Sequence, residues 1–298
     1  MVSQRFLGAE WAAVHGPAEA AVLPGWALDR GFVGLSAGPA PRAVDWRAVR
    51  LALDDLPASI TAVRAASVLE PPRPEWGSLA SARSADQGTA MQRLTGAVRL
   101  AEALGCPRVL IEPGWVAPPG ERGVEDLADP NAGWTPDRAA AQLARRNVGR
   151  DAGLDRVCRA LFKAAKSFPG IEFCLIPGRS VLSLGDPDGL SAIFEDLPRQ
   201  GLRYWHDASL AALRADLLQT PQGEWLERFS NLMVGMTLAD SGGGSAYLPP
   251  GAGGVDYPLL ASYRRRLDGG IPVLVELDLA VDLGEVPGIH AFLDKYAL

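Results

Sequence analysis

Cysteine and histidine are both scarce in this chain of 298 residues, with three of each. Cys106, Cys158 and Cys174 are widely spaced and form no C-x-x-C pair. An odd, scattered set argues against a disulfide framework and fits a reducing cytoplasm. Each lies in an apolar stretch, so each reads as a buried structural thiol rather than a nucleophile. Positive charge is also short: 29 Lys and Arg stand against 35 Asp and Glu, for a net charge of −6 and a pI of about 5.2. That balance lacks the basic footprint of a nucleic-acid binder. Arg64 and Arg73, and the run Arg264 to Arg266, read as solvated helix or loop faces. No stretch reaches the ~20 apolar residues of a membrane span. The N-terminal MVSQRFLGAEWAAVHGP shows no long apolar region followed by a cleavage site. The expectation is a cytoplasmic protein with no membrane segment and no nucleic-acid partner.

What the chain has in quantity is apolar residues, 48% of the total, enough for a large core. Strand-like runs alternate with helical ones along its length. Candidate strands are Arg5 to Ala9, Gly31 to Gly38, Ser59 to Ser67, Pro107 to Trp115, Ile171 to Gly178, Leu202 to Asp207, Leu232 to Leu238 and Pro272 to Leu277. Candidate helices are Glu19 to Arg30, Val44 to Leu56, Thr89 to Leu104, Asp151 to Ser167, Leu190 to Leu197, Ser209 to Leu218, Trp225 to Ser230, Asp256 to Leu267 and Pro287 to Leu298. The Pro- and Gly-rich segment Ala117 to Thr135 reads as a long functional loop. Alternation of this kind implies parallel strands joined by right-handed crossovers. Eight strands close a barrel, so the predicted fold is a single-domain (β/α)8 TIM barrel over residues 1–298. An open doubly wound sheet is the competing architecture. It is weakened because no G-x-G-x-x-G follows the first strand.

Barrel enzymes carry their chemistry at the C-terminal ends of the strands. In order, those ends present Glu10, Ser36, Arg64, Glu112, Pro177 with Arg179, His206 with Asp207, Thr237 with Asp240, and Glu276. Alternation along the sixth strand sends His206 and Asp207 to opposite faces, so His206 reads as packed behind the barrel. His15 and His290 read as surface or packing residues.

The order and spacing of several segments carry a resemblance. They are AVRLAEALGCPRVLIEPGW, RALFKAAKSFPGIEFCLIPG, RYWHDASLA, GMTLADSGGG with YLPPGAGGVDYPLL, and VLVELDL. Together they span nearly the whole chain, which resembles the xylose isomerase-like barrels. That group includes sugar-phosphate isomerases, keto-sugar epimerases and endonuclease-IV-type enzymes. The resemblance implies a divalent metal held by Glu, Asp, His and Glu on strands five to eight, where it polarises a carbonyl while two carboxylates shuttle a proton.

This sequence departs from that pattern. The strand-five Glu falls at Ile176 or Pro177, and the strand-seven His at Thr237 or Met236. Leu210 and Ala252 take the places of a His and a loop Glu. Asp207 and Glu276 match. Two carboxylates are an incomplete site for Mn, Mg or Zn, so no cofactor is expected. Any metal that did bind would fall to Asp207 and Glu276. The implied activity is isomerase- or epimerase-like proton transfer on a small sugar or polyol-like carbonyl compound. Asp207 and Glu276 are the expected acid/base pair. Glu112, Arg179, His206, Thr237, Asp240 and Trp115 are the expected substrate contacts. Arg179 reads equally as an anion clamp or as a structural counter-ion to Asp207 or Glu276. The alternative is a catalytically lapsed barrel that binds a small molecule or a protein. Endonuclease activity conflicts with three histidines and a negative charge. The oligomeric state is open, with a homo-oligomer admitted.

Overall fold

The computed structural model describes residues 4–118, 121, 124–198, 200–267 and 270–298. Among these residues, ten strands form: β1 (Arg5–Leu7), β2 (Gly34–Ala37), β3 (Ser59–Arg64), β4 (Arg108–Ile111), β5 (Glu172–Leu175), β6 (Leu202–Asp207), β7 (Met233–Leu238), β8 (Asp240–Gly242), β9 (Ser245–Leu248) and β10 (Val273–Val275). Eight of them close a parallel barrel in the order β1-β10-β7-β6-β5-β4-β3-β2, and β8 pairs with β9 as a separate antiparallel hairpin. Closure comes from β1, whose Arg5, Phe6 and Leu7 pair with Val273, Leu274 and Val275 of β10.

Eleven helices form among the described residues. They are α1 (Ala9–His15), α2 (Leu23–Leu28), α3 (Trp46–Leu53), α4 (Ser84–Leu104), α5 (Pro136–Asn147), α6 (Arg150–Ser167), α7 (Pro187–Asp196), α8 (Ala208–Leu218), α9 (Glu224–Phe229), α10 (Tyr257–Arg265) and α11 (Val286–Asp294). Their ends follow local chemistry. Asp45 accepts from the backbone N–H groups of Arg47 and Ala48 to start α3, and Gly105 ends α4 in the left-handed region at φ 67°. No described helix is long and apolar enough to cross a membrane.

Strand alternation divides the core in two. Phe6, Ala62, Leu110, Cys174, Trp205 and Leu274 fill the barrel interior. Outward-facing Leu7, Val63, Val109, Phe173, Tyr204 and Val275 pack against the helices. All three cysteines are free and buried, and burial pushes the Cys158 thiol up to about 12. They serve packing.

The barrel matches the predicted fold, with local corrections. The first candidate strand ends at Leu7, and Glu10 belongs to α1 rather than to a strand end. The helix expected over Glu19 to Arg30 is shortened to Leu23–Leu28, behind a short 3-10 turn at Ala20–Val22. Helix α5 and the β8–β9 hairpin were not anticipated. Thr135 caps α5 by accepting from Arg138 N–H, and Pro136 occupies its first turn.

Candidate functional site

A guanidinium occupies the centre of the barrel's C-terminal end. On β3, Ala62 and Arg64 share the inward face, and Arg64 is the last residue of the strand. Its Nε lies 3.3 Å from Glu276 Oε2, and its Nη2 lies 3.9 Å from Asp207 Oδ2. Nη2 also donates to Thr237 Oγ1 at 3.1 Å, and the Trp205 indole donates to the same oxygen at 2.9 Å. Arg64 is only 4% exposed, and Asp207 and Glu276 are fully buried. The expectation of a solvated Arg64 is therefore wrong. At the end of an inward-facing strand, the side chain has nowhere to go but the barrel axis.

The electrostatics follow from that placement. Burial opposes the charge on Arg64, but Glu276, Tyr247, Asp207 and Glu10 outweigh it and hold the guanidinium protonated. Burial raises the Glu276 carboxyl to about 8 against the pull of Arg64, with Glu10 and Asp207 adding to the rise. Neither Glu276 oxygen has a well-aligned hydrogen bond among the described residues. Gly8 makes room for this carboxyl, since a Cβ there would stand 1.9 Å from Oε1. Asp207 is also raised by burial, against Arg64 and hydrogen bonds from the Leu210 backbone, Tyr247 and the Ser209 backbone. Its Oδ1 accepts from Leu210 N–H at 3.1 Å, which caps α8, and its Oδ2 accepts from the Tyr247 hydroxyl at 3.1 Å.

The four positions where the resemblance places metal ligands are Ile176, Asp207, Thr237 and Glu276. Two carboxylates, a hydroxyl and an alkyl group make a poor donor set, and the Arg64 cation already stands between the carboxylates. Among the described residues no group of three or more His, Cys, Asp or Glu side chains is placed to hold a metal. A divalent ion does not fit this centre.

A cleft opens beside it, over the ends of β3, β4 and β5. It contains about 840 Å3 of space, part of it open to solvent. Arg64, Glu112, Arg179 and Tyr247 supply polar groups, and Trp76 and Trp115 are among its walls. Asp207, Glu276 and Thr237 do not line it; Tyr247 and Arg64 do. Tyr247, from β9, is fully buried and holds a positive φ of 61°, which is strained for an aromatic residue. Burial raises Glu112, opposed by Ser183, the Arg179 backbone, Arg214 and the Arg179 charge, and its Oε1 lacks a partner among the described residues.

The loops around the cleft are tied by other expected site residues. Arg179 does not neutralise Asp207 or Glu276. Its Nε and Nη2 each donate to Asp126 at 2.8 Å, and Nη1 donates to Val68 O. It thus joins the loops after β3, β4 and β5. Glu10 accepts from the Ser67 hydroxyl and from Val68 N–H, fixing the first of these loops. Asp240 takes no part in the cleft. It accepts from Ser241, Val255 and Gly251 N–H at 3.0, 2.9 and 3.0 Å, so the Pro249 to Gly254 segment wraps around it. Gly253 is required there, because a Cβ would lie 2.2 Å from Ser241 O. Asp256 accepts from Leu259 N–H and starts α10.

His206 points away from the cleft, as alternation requires. It is 2.8 Å from the Tyr204 hydroxyl, and burial pushes it down to about 3, so it is neutral. His15 stacks on Trp11, and His290 lies against Arg5 and Arg30 O, both as packing residues. Sequence reading missed the central role of Arg64 and the presence of Tyr247. The parity of Ala62 and Arg64 on β3 carried the first signal. The hairpin that delivers Tyr247 had none beyond its glycines.

No family model matches the chain. No curated protein matches it either. Solved structures do. A putative xylose isomerase from Rhodospirillum rubrum superposes with a TM-score of 0.71 at 13% identity, covering 98% of this chain and 97% of that one. A D-tagatose 3-epimerase-like protein gives 0.68 at 14%, covering 98% and 96%. The 3-keto-D-glucoside 4-epimerase of E. coli gives 0.65 at 13%, covering 99% and 98%. Likeness at such low identity is likeness of fold, and the fold shared with these structures is the closed parallel β/α barrel.

Proposed function

We propose that this barrel binds a small sugar or polyol-like carbonyl compound in the cleft over β3, β4 and β5. There it carries out isomerase- or epimerase-type proton transfer without a divalent metal. The observation that carries the reading is the Arg64 guanidinium between Asp207 and Glu276. A buried, permanently charged fork can stabilise an enediolate oxygen as a metal does, because low polarity strengthens the attraction. Glu112 lines the cleft, burial raises its carboxyl, and its buried Oε1 has no hydrogen-bond partner among the described residues, so it is the proton carrier on that side. Glu276, raised to about 8, is the second carrier across the guanidinium. Glu276 does not line the cleft in this structure, so that role requires the buried centre to open. Asp207, the other half of the expected acid/base pair, has both oxygens engaged and serves to hold Arg64 and cap α8.

The test is solvent deuterium entering a panel of ketoses and keto acids at the carbon beside the carbonyl, after exhaustive treatment with chelator. The expected result is exchange that added Mn, Mg or Zn does not raise. It falls by about a hundredfold or more in Arg64→Met, in line with the loss of one electrostatic donor, and part of the loss is recovered in Arg64→Lys. Exchange that depends on added metal would sink the proposal.

A second reading, a barrel that binds without turnover, is favoured by one observation. Asp207 and Glu276 are fully buried, with the Tyr247 hydroxyl closing over Asp207. Ligand binding with no exchange across the whole panel would establish that reading instead.

A further inference from the structure

Three arginines reach the cleft, and two are already committed. Arg64 faces Asp207 and Glu276, and Arg179 makes its two-pronged pair with Asp126. Arg93, on α4, is the third. Its guanidinium lies over the Trp76 ring, 4.5 Å from the centroid. The nearby acid, Glu70, pairs with Arg73 at 3.2 Å, and Arg93 has no ion pair or hydrogen bond among the described residues. Arg93 and Arg64 also line a smaller opening beside Gly38 and Pro39.

A guanidinium held over an indole face by cation–π attraction keeps its N–H groups for another partner. Those groups match the planar, two-oxygen geometry of a carboxylate. Charge points the same way: among the described residues Arg93 is the cleft's cation without a carboxylate partner, which matches a monoanion, whereas a phosphate ester dianion would bring a second negative charge into a cleft that also holds Glu70 and Glu112.

We propose that Arg93 stacked on Trp76 is a carboxylate-binding subsite of the cleft, so that the ligand is a sugar acid rather than a neutral sugar. The polyol part of this ligand rests on the function proposed above; the anionic part rests on Arg93 alone.

The experiment compares matched probes by calorimetry at low ionic strength: gluconate against sorbitol, glucuronate against glucose, and sorbitol phosphate as the dianion. It uses the wild-type protein, Arg93→Gln and Arg93→Lys. The expected result is that each carboxylate binds about tenfold or more tighter than its neutral counterpart, the size of a charge-assisted pair. Arg93→Gln should reduce that preference to about twofold while binding of the neutral compounds is unchanged, and Arg93→Lys should recover part of it. Equal binding of acid and neutral probes overturns the proposal, and so does a preference that survives Arg93→Gln, tighter binding of the phosphate ester, or binding of none of the probes. Deuterium exchange is read separately. A carboxylate preference without exchange defeats proton transfer and leaves the subsite standing, and exchange on neutral ketoses alone does the reverse.

Discussion

At the scale of single residues, the centre of the barrel is a charge balance held out of water. Arg64 is flanked by Asp207 and Glu276, and all three are buried. Removing one member of such a group costs more than the group contributes, because the remaining charges lose their compensation. Arg64→Met should therefore lower stability by about 3–5 kcal/mol in urea unfolding at neutral pH. The loss should shrink as pH falls and both carboxyls become protonated, Glu276 first, from about 8 downward. Glu276 sets a second dependence. Its carboxyl titrates near 4.5 in the unfolded chain and near 8 in the folded one. Between these values the folded state holds the extra proton, so stability falls as pH rises across this window and levels off above it. Urea midpoints measured across that range should show the decline in the wild type and a flatter profile in Glu276→Gln. An unchanged slope in the variant would place the proton elsewhere. These two carboxylates were legible in the sequence because strand ends in a barrel are a defined address. Arg64 shared the address but was read as surface, since an arginine in isolation is usually solvated. Only the inward parity with Ala62 distinguishes it.

At the scale of elements, the segment from β7 through α10 delivers Tyr247 and positions β10. Its PPG-x-G motif is intelligible as a wrap around one carboxylate. Asp240 accepts three backbone N–H groups, and Gly253 passes too close to Ser241 O for any side chain. Asp240→Ala should leave those donors to find water or remain unpaired, at a cost of about 2–4 kcal/mol. Hydrogen exchange at Gly251 and Val255 should speed up markedly while the α4 amides keep their protection. Uniform loss of protection would mean that Asp240 supports the barrel rather than this loop. The sequence showed the Asp256 helix start and the glycine loop, because capping and turn chemistry are local. It hid the β8–β9 hairpin, whose pairing has no alternating apolar pattern. It also hid α5, where a mostly polar and alanine-rich run masked the Thr135-Pro136 start signal.

At the scale of the whole molecule, the inward side chains at the C-terminal ends of the barrel strands meet near the axis, and here Arg64 is the one between Asp207 and Glu276. Eight parallel strands were legible from alternation because each β/α unit repeats the same hydrophobic logic. The occupant of the axis was not, because it depends on contacts between β3, β6, β7 and β10, far apart in the chain. On the function proposed above, the Arg64 guanidinium takes the place of a divalent ion between Asp207 and Glu276. Linkage makes that measurable: an ion present at about a hundred times its Kd would add about 2.7 kcal/mol to stability. In a barrel of this size such a gain raises the thermal midpoint by several degrees, on the order of 2–4 °C per kcal/mol or slightly less. Millimolar Mn, Mg or Zn should therefore move the wild-type midpoint by less than about 1 °C, whereas true binding would exceed that shift. In a variant carrying Arg64→Ser, Ile176→Glu and Thr237→His, the cation is removed and four ligand positions are filled by oxygen and imidazole donors. That variant should gain a metal-dependent rise, and adding Asp207→Ala should abolish it. A rise in the wild type that disappears in Asp207→Ala alone would mean that the guanidinium yields its place to an ion.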